Sequence, residues 1–262
     1  MVNSPTPLPL APMREGGRIL ALILRDLSAY VKPGMQTNEL SARATQLLSE
    51  HGVKASFLGY RMPDGRAYPD VICLSVNSQV VHTPGSELIL MEGDLLKLDF
   101  GVIHEGLHTD SAVTVLVTNL DKDAAKEKLE YKERRRLVAV TRECLQRAIK
   151  ACRPDGHLGD IGWAVQQHAE TNGFSVAREL GGHGIGHHLH EDPWVANFGK
   201  PHSGPRLHPG MVIAIEPILN AGRGGIKEGA DGFTYETADG SLSAHFEHTV
   251  AITEHGPEVL TV

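Results

Sequence analysis

LMEGDLLKLDF, residues 90–100, and LHPGMVIAIEP, residues 207–217, align without a gap. Each opens on a leucine, turns at a glycine (Gly93 or Gly210) and continues as an apolar segment carrying one carboxylate, Asp99 in the first and Glu216 in the second. Two amphipathic segments can match by chance, so two further pairs matter. VKPGMQTNEL from Val31 matches CRPDGHLGDI from Cys152, and each sets a Pro-Gly-type turn before a helix that ends at a glycine, Gly52 or Gly173. AVTVLVT from Ala112 resembles EHTVAIT from Glu247. Three pairs in one order predict an internal duplication: helix, helix, strand, strand, strand, and then again. Two half-domains would share one core, with a site at their junction. The boundary falls at residues 120–125, giving halves of about 12–122 and 123–262 within one domain, preceded by a flexible arm at residues 1–11.

Outward from these pairs, apolar spacing predicts a helix over 13–30 and a second from Thr37 to near Gly52. Strands are expected at 70–81, 95–103 and 110–118, and a charge-rich helix at 123–151. The run KEKLEYKERRR reads as a solvated helix face rather than a contact for an acidic partner. With 41% hydrophobic and 22% charged residues, the 262-residue chain has material for a sizeable core. A net charge of −7 argues against a general nucleic-acid binder, which needs a basic face. The three cysteines, Cys73, Cys144 and Cys152, form no CxxC pair, so neither a thiolate zinc site nor a redox motif is expected, and a reducing cytoplasm fits. The proline-rich start has no apolar stretch of the signal-peptide kind, and the run Ile19 to Leu24 is too short to span a bilayer.

The chemistry gathers on carboxylates. A hairpin centred between His104 and Glu105 would set Asp99 opposite Asp110, with side chains about 5 Å apart. Two carboxylates there repel by about 3 kcal/mol at an effective dielectric of 20, and Asp is a poor strand former. A divalent cation between them reverses the sign. Asp99 is surrounded by Leu96, Leu98, Phe100 and Val102, so a solvated position is disfavoured. Glu216, in MVIAIEPIL, is a second carboxylate in an apolar strand with no local cation. Alternation puts Glu247 on the face of Thr249, Ala251 and Thr253, where taken alone it reads as an exposed strand residue. His183 lies in GGHGIGHHLHEDP, where glycines let the backbone approach a site closely and imidazole supplies a nitrogen ligand. Four carboxylates and one imidazole suit two divalent ions, or one tight and one weak, with Mn, Fe or Co favoured and Zn allowed. Metal-assisted hydrolysis is the reaction class, since such a pair lowers the pKa of a bridging water to about 7 and clamps a carbonyl oxygen.

GHGIGHHLHEDP, IAIEPILNAG, KLDFG with its Asp eleven residues on, and SLSAHFEHTV together resemble the motifs of bacterial type I methionine aminopeptidases of peptidase family M24. SVNSQVVH, ending at His82, and ASFLGY, ending at Tyr60, extend the likeness, which runs from about residue 13 to 255. The resemblance implies the α+β "pita-bread" fold: a duplicated unit, a central antiparallel sheet covered by helices, and a dinuclear metal site at the junction of the halves. It implies removal of the N-terminal methionine from nascent proteins and peptides with a small second residue, using two divalent ions (Co, Mn, Fe or Zn). Asp99, Asp110 and Glu247 would bind one or both ions, and His183 and Glu216 would complete the second site. Glu216 would shuttle a proton, His190 would stabilise the oxyanion, and His82 would contact the scissile amide or the next residue. The methionine pocket would draw on Phe57, Tyr60, Tyr68, Cys73, Leu189 and Phe233. Nascent polypeptide N-termini would be the partners, with the ribosome near its exit tunnel a further one, for a cytoplasmic monomer with no membrane association. The chain departs from the pattern in Thr-Pro-Gly after His82, a longer segment from Arg61 to Ala67, Leu189 for a frequent Phe, and Phe233 for a frequent Trp. X-Pro aminopeptidases or prolidases share the five ligands and are the rival hydrolases. A non-catalytic peptide-binding protein on the same scaffold is the rival from another class.

Overall fold

The computed structural model describes residues 8–62, 64–119 and 128–262. Residues 1–7 of the expected arm and the expected boundary at 120–125 lie outside the described residues. The first half comprises α1 (Leu10–Tyr30), α2 (Thr37–His51), β1 (Lys54–Ala55), β2 (Cys73–Val76), β3 (Gln79–Val81), β4 (Leu95–His104) and β5 (Leu107–Leu116). A 3₁₀ turn at Leu129–Tyr131 leads into α3 (Lys132–Ala151) and α4 (Leu158–Thr171). Ten strands follow: β6 (Ser175–Val176), β7 (Gly181–Gly184), β8 (Glu191–Ala196), β9 (Val212–Ile215), β10 (Ile218–Asn220), β11 (Ile226–Glu228), β12 (Tyr235–Thr237), β13 (Ser243–His245), β14 (Glu247–Thr253) and β15 (Gly256–Val259).

Nine strands form one antiparallel sheet in the order β1-β4-β5-β14-β9-β7-β8, with β2 added on β4 and β15 on β14. The duplication is visible bond by bond. Gln36 N donates to Glu39 Oε1, and 121 positions on His157 N donates to Asp160 Oδ2, both at 2.8 Å, so each second helix starts on the same acidic cap. Thr37 N to Leu88 O is repeated as Leu158 N to Pro205 O, both at 3.0 Å, and Gly93 N to Val117 O as Gly210 N to Ile252 O. The halves meet along β5 and β14, where Ala112 pairs with Glu247. These two residues are themselves repeat equivalents, so the pseudo-two-fold axis passes through the pair.

Period-2 alternation assigns the faces. Leu96, Leu98, Phe100 and Val102 of β4 pack on Leu20, Ile23 and Leu40 of the first helix pair. Ile213, Ile215, Val250 and Ile252 pack on Leu145 and Val165 of the second. Asp99, Asp110, Ala112, Glu247 and Glu216 are left on the opposite side.

Four expectations need correction. α1 begins at Leu10, so the end of the expected arm is helical, and Leu8 and Leu10 pack against a cluster holding Met13, Phe57 and Leu189. The strand expected over 70–81 is two, β2 and β3, separated by Asn77 in a left-handed conformation (φ 52°). The β4–β5 turn is Glu105-Gly106, with φ 49° and 80°, the geometry of a two-residue type I′ hairpin. Its centre lies one position later than expected, so Asp99 opposes Ala112 and Asp110 opposes Gly101. The two aspartates are diagonal neighbours on one face, a relation of about 7–8 Å rather than 5 Å. Glu247 is 2% exposed, not a surface strand residue.

Candidate metal centre

Asp99, Ala112 and Glu247 form a row across β4, β5 and β14. The small side chain of Ala112 leaves a gap between carboxylates whose strands stand about 9–10 Å apart. Asp110 lies two residues along β5, its backbone N–H donating to Thr249 Oγ1 (2.8 Å) while that hydroxyl donates back to Asp110 O (2.8 Å). This locks Asp110 to β14 beside Glu247. Glu216 follows the last residue of β9, next to the His248–Ile215 pair, which sets it beside Glu247 from the other flank. Asn197 Nδ2 donates to Glu216 O (2.9 Å) and holds that backbone.

His183 on β7 completes the ring. Its Nδ1 donates to Gly184 O (2.9 Å), so Nε2 carries a lone pair and points toward Glu216 Oε1 at 3.9 Å. Ligand atoms of Asp110, His183 and Glu247 all lie within 4.8 Å of one another. Burial pushes the pKa of Asp110 up to about 7. Burial, then the charge of Asp110, pushes Glu216 up to about 8. Asp99 and Glu247 are raised well above the carboxylate range by burial and then by their acidic neighbours. Burial, and then His190, pushes His183 down to about 3, leaving a neutral imidazole. Glu247 Oε1 is a buried oxygen with no hydrogen-bond partner. Four crowded carboxylates, an oriented imidazole lone pair and an orphaned carboxylate oxygen fit divalent cations.

A cavity of about 290 Å³ opens beside this cluster, lined by all five of these residues and by His82, His190, Phe57, Tyr60, Tyr68, Cys73 and Leu189. His190 Nδ1 sits 2.7 Å from Tyr60 Oη, and its ring meets that of His183 edge-on at 4.4 Å. His82 holds a left-handed backbone (φ 61°), a strain of the sort found at functional sites, and its Nδ1 has no partner. Arg61 and Ala67, the ends of the longer segment, are joined by a β-bridge, Tyr68 N donates to Tyr60 O (2.8 Å), and both tyrosines reach the cavity. Phe233 does not line it. It stands behind Tyr68, edge-on at 5.9 Å, with the Arg66 guanidinium 4.8 Å above its ring.

Sequence reasoning missed Met62, Val81, Leu180 and Trp194 of the cavity wall, because single apolar residues in loops and short strands carry no periodic signal that marks a pocket. It also missed His245, 1% exposed, with Nε2 3.5 Å from Glu216 Oε2 and 3.9 Å from Glu247 Oε2. Burial, then Lys97, pushes His245 down to about 3, so this is a neutral ring between carboxylates rather than an ion pair. The signal was its place two residues before Glu247 in the run SLSAHFEH, between Ala244 and Phe246.

The profile of metallopeptidase family M24 matches residues 11–254. The chain belongs to the metallopeptidase family M24. Within M24 it is 43% identical to "Methionine aminopeptidase 1" of Bacillus subtilis, over 100% of this chain and 99% of that protein. The crystal structure of methionine aminopeptidase from Thermotoga maritima superposes with a TM-score of 0.87 at 36% identity, covering 100% of this chain and 98% of that one. Prolidase from Pyrococcus furiosus, at 18% identity and a TM-score of 0.71, shares the M24 fold, and this chain spans 63% of its length.

Proposed function

We infer that this chain is a metal-dependent methionyl aminopeptidase. The observation that carries the reading is the position of the cavity: an aromatic and sulfur-containing wall of Phe57, Tyr60, Tyr68, Cys73 and Leu189 directly beside the carboxylate–imidazole cluster. An unbranched thioether suits such a wall, and a side chain seated there brings its own peptide carbonyl to the metal ligands. Asp99, Asp110 and Glu247 would hold one or both of two divalent ions, Co, Mn, Fe or Zn, with His183 and Glu216 completing the second position. When bound, the ions supply the Lewis acidity that activates water and polarises the scissile carbonyl.

The remaining work falls to the chain's own groups. Glu216, a buried carboxylate lining the cavity beside the cluster, would take a proton and return it to the leaving amine. With Tyr60 Oη donating to His190 Nδ1, His190 Nε2 carries its proton and donates to the developing oxyanion. His82, pushed down to about 4 by burial and then by His190, is neutral and offers a hydrogen bond to the peptide beyond the scissile bond. The substrates are nascent chains and peptides with a small second residue, met in the cytoplasm near the ribosomal exit tunnel. The three buried free cysteines support a reducing compartment, and among the described residues no helix is long and apolar enough to cross a membrane.

Assays of Met-Ala-type and X-Pro peptides with added Mn, Co or Fe test this. Turnover of the methionyl peptide alone is expected. Cleavage of X-Pro peptides instead would move the chain to the prolidase reading, and no turnover of either would overturn an enzymatic role.

A further inference from the structure

Away from the catalytic cavity, His157, Asp160 and His202 bring ligand atoms within 4.8 Å of one another at the start of α4. His157 Nδ1 lies 3.9 Å from Asp160 Oδ2, and His202 Nδ1 lies 4.0 Å from Asp160 Oδ1. The carboxylate is fixed between the rings because each of its oxygens accepts a backbone N–H, from His157 at 2.8 Å and from His202 at 2.7 Å. Each oxygen keeps a further lone pair. The loop bearing His202 is tied to the helix by Leu158 N to Pro205 O (3.0 Å) and Gly159 N to Ser203 O (2.9 Å). His157 Nδ1 is closed off from solvent and faces the Asp160 backbone N–H in a capping-box arrangement without closing a well-formed hydrogen bond, a state that buried polar atoms rarely keep.

We propose that His157, Asp160 and His202 form a second metal site, separate from the catalytic centre, that takes a first-row divalent ion of the Zn²⁺, Ni²⁺ or Cu²⁺ class. Two imidazoles and one carboxylate select such ions over Mg²⁺ or Ca²⁺. A tetrahedral ion with bonds of about 2.0–2.2 Å holds its ligand atoms roughly 3.4 Å apart, whereas these lie within 4.8 Å of one another, so closure needs a movement of up to about 1.4 Å. His202, whose side chain is 87% exposed, is free to make it. The positive end of the α4 dipole opposes a cation, and Asp160 in the first turn offsets it.

The duplication supplies an internal control. Gln36, Glu39 and Gly85 occupy the equivalent positions of the first half, where Gln36 N donates to Glu39 Oε1 (2.8 Å) and Asn38 N to Ser86 O (2.9 Å). The same backbone frame therefore forms with no imidazole, and the two histidines are not required by the fold. An ion there would clamp the loop after β8, the strand that carries Trp194 at the cavity, onto α4.

The test gives the second half the residues of the first, in the full-length H157Q/H202G variant. Equilibrium dialysis against Zn²⁺ alone, with metal content measured, is expected to find one Zn²⁺ equivalent fewer in the variant than in the parent. The rise in melting temperature on adding Zn²⁺ shrinks, while peptidase activity is kept because no catalytic ligand is touched. Should the double variant fail to fold, H202G alone, which removes one exposed side chain at a left-handed position (φ 59°), decides the matter by the same measurement. Equal Zn²⁺ content in the parent and a folded variant would overturn the proposal.

Discussion

At the scale of single residues, the site is built from groups placed against their ordinary preferences. Glu216 is a carboxylate with 13% side-chain exposure, held among Asp99, Asp110 and Glu247, and it gains a stable role only with cations present and a proton to move. Glu216→Gln keeps the volume and removes the base. Turnover of a methionyl peptide should fall by about 10²–10⁴-fold with circular dichroism unchanged, and near-normal turnover would remove Glu216 from the mechanism. Lys97 shows the other side of burial. It is 1% exposed, and its ammonium donates to Asn77 O (2.7 Å) and Ser243 O (3.2 Å). The first carbonyl belongs to the turn between β2 and β3, and the second to the strand carrying His245. Lys97→Met removes a donor from each carbonyl, although Asn77 O keeps the Ser243 N–H (3.0 Å), so a loss of about 1–3 kcal/mol in urea unfolding is expected. An unchanged midpoint would mean that water or a neighbour takes over the bonds.

Elements place those residues through close backbone approach. α4 lies against the chain leaving β8, and a Cβ added at Gly162 would sit 2.3 Å from Phe198 O and 2.6 Å from Ala196 O. Gly→Ala inside a helix ordinarily stabilises by about 1 kcal/mol. At Gly162 the clash is with rigid backbone and reverses the sign, for a net loss of about 1–3 kcal/mol. Chemical denaturation of Gly162→Ala checks this, and a gain in stability would show that the loop after β8 can retreat from the helix. The hairpin of β4 and β5 does comparable work for the metal centre, because its two-residue turn sets Asp99 and Asp110 diagonally about Ala112.

The whole molecule carries a buried excess of negative charge, and its stability should report it. Asp110 and Glu216 have pKa values raised by burial to about 7 and about 8, against unfolded values of about 4. The folded state then binds more protons than the unfolded one, so metal-free stability falls as pH rises from about 4 to about 8. His82, His183 and His245, lowered by burial to about 3–4, act the other way: stability rises with pH until about 6.5 and then levels off. Above about pH 6.5 the histidine effect has ended, and the four raised carboxylates outweigh Lys97, whose pKa burial pushes well down and which acts the other way. The melting temperature of chelator-treated protein is therefore expected to drop between about pH 6.5 and 8.5, and Mn²⁺ should raise it most at the upper end. A flat profile for the metal-free protein would mean that the carboxylates are ionised without cost.

Much of this arrangement is local and so was legible in the chain itself. Periodicity assigns Leu96, Leu98 and Phe100 to one face and Asp99 to the other, and repeated turn and cap residues reveal the duplication, because period and turn chemistry act within a few residues. The carboxylates of β4, β5 and the end of β9 stood out for the same reason: each breaks an apolar pattern around it. Relations between segments distant in the chain depended on the tertiary structure. Only the tertiary structure put Ala112 between Asp99 and Glu247 through the pairing of β4, β5 and β14, buried Glu247, brought His245 to within 3.5 Å of Glu216 and left Phe233 behind Tyr68. Register and burial are set by how non-local surfaces pack, and a shift of one position in a turn centre is enough to change which residues meet.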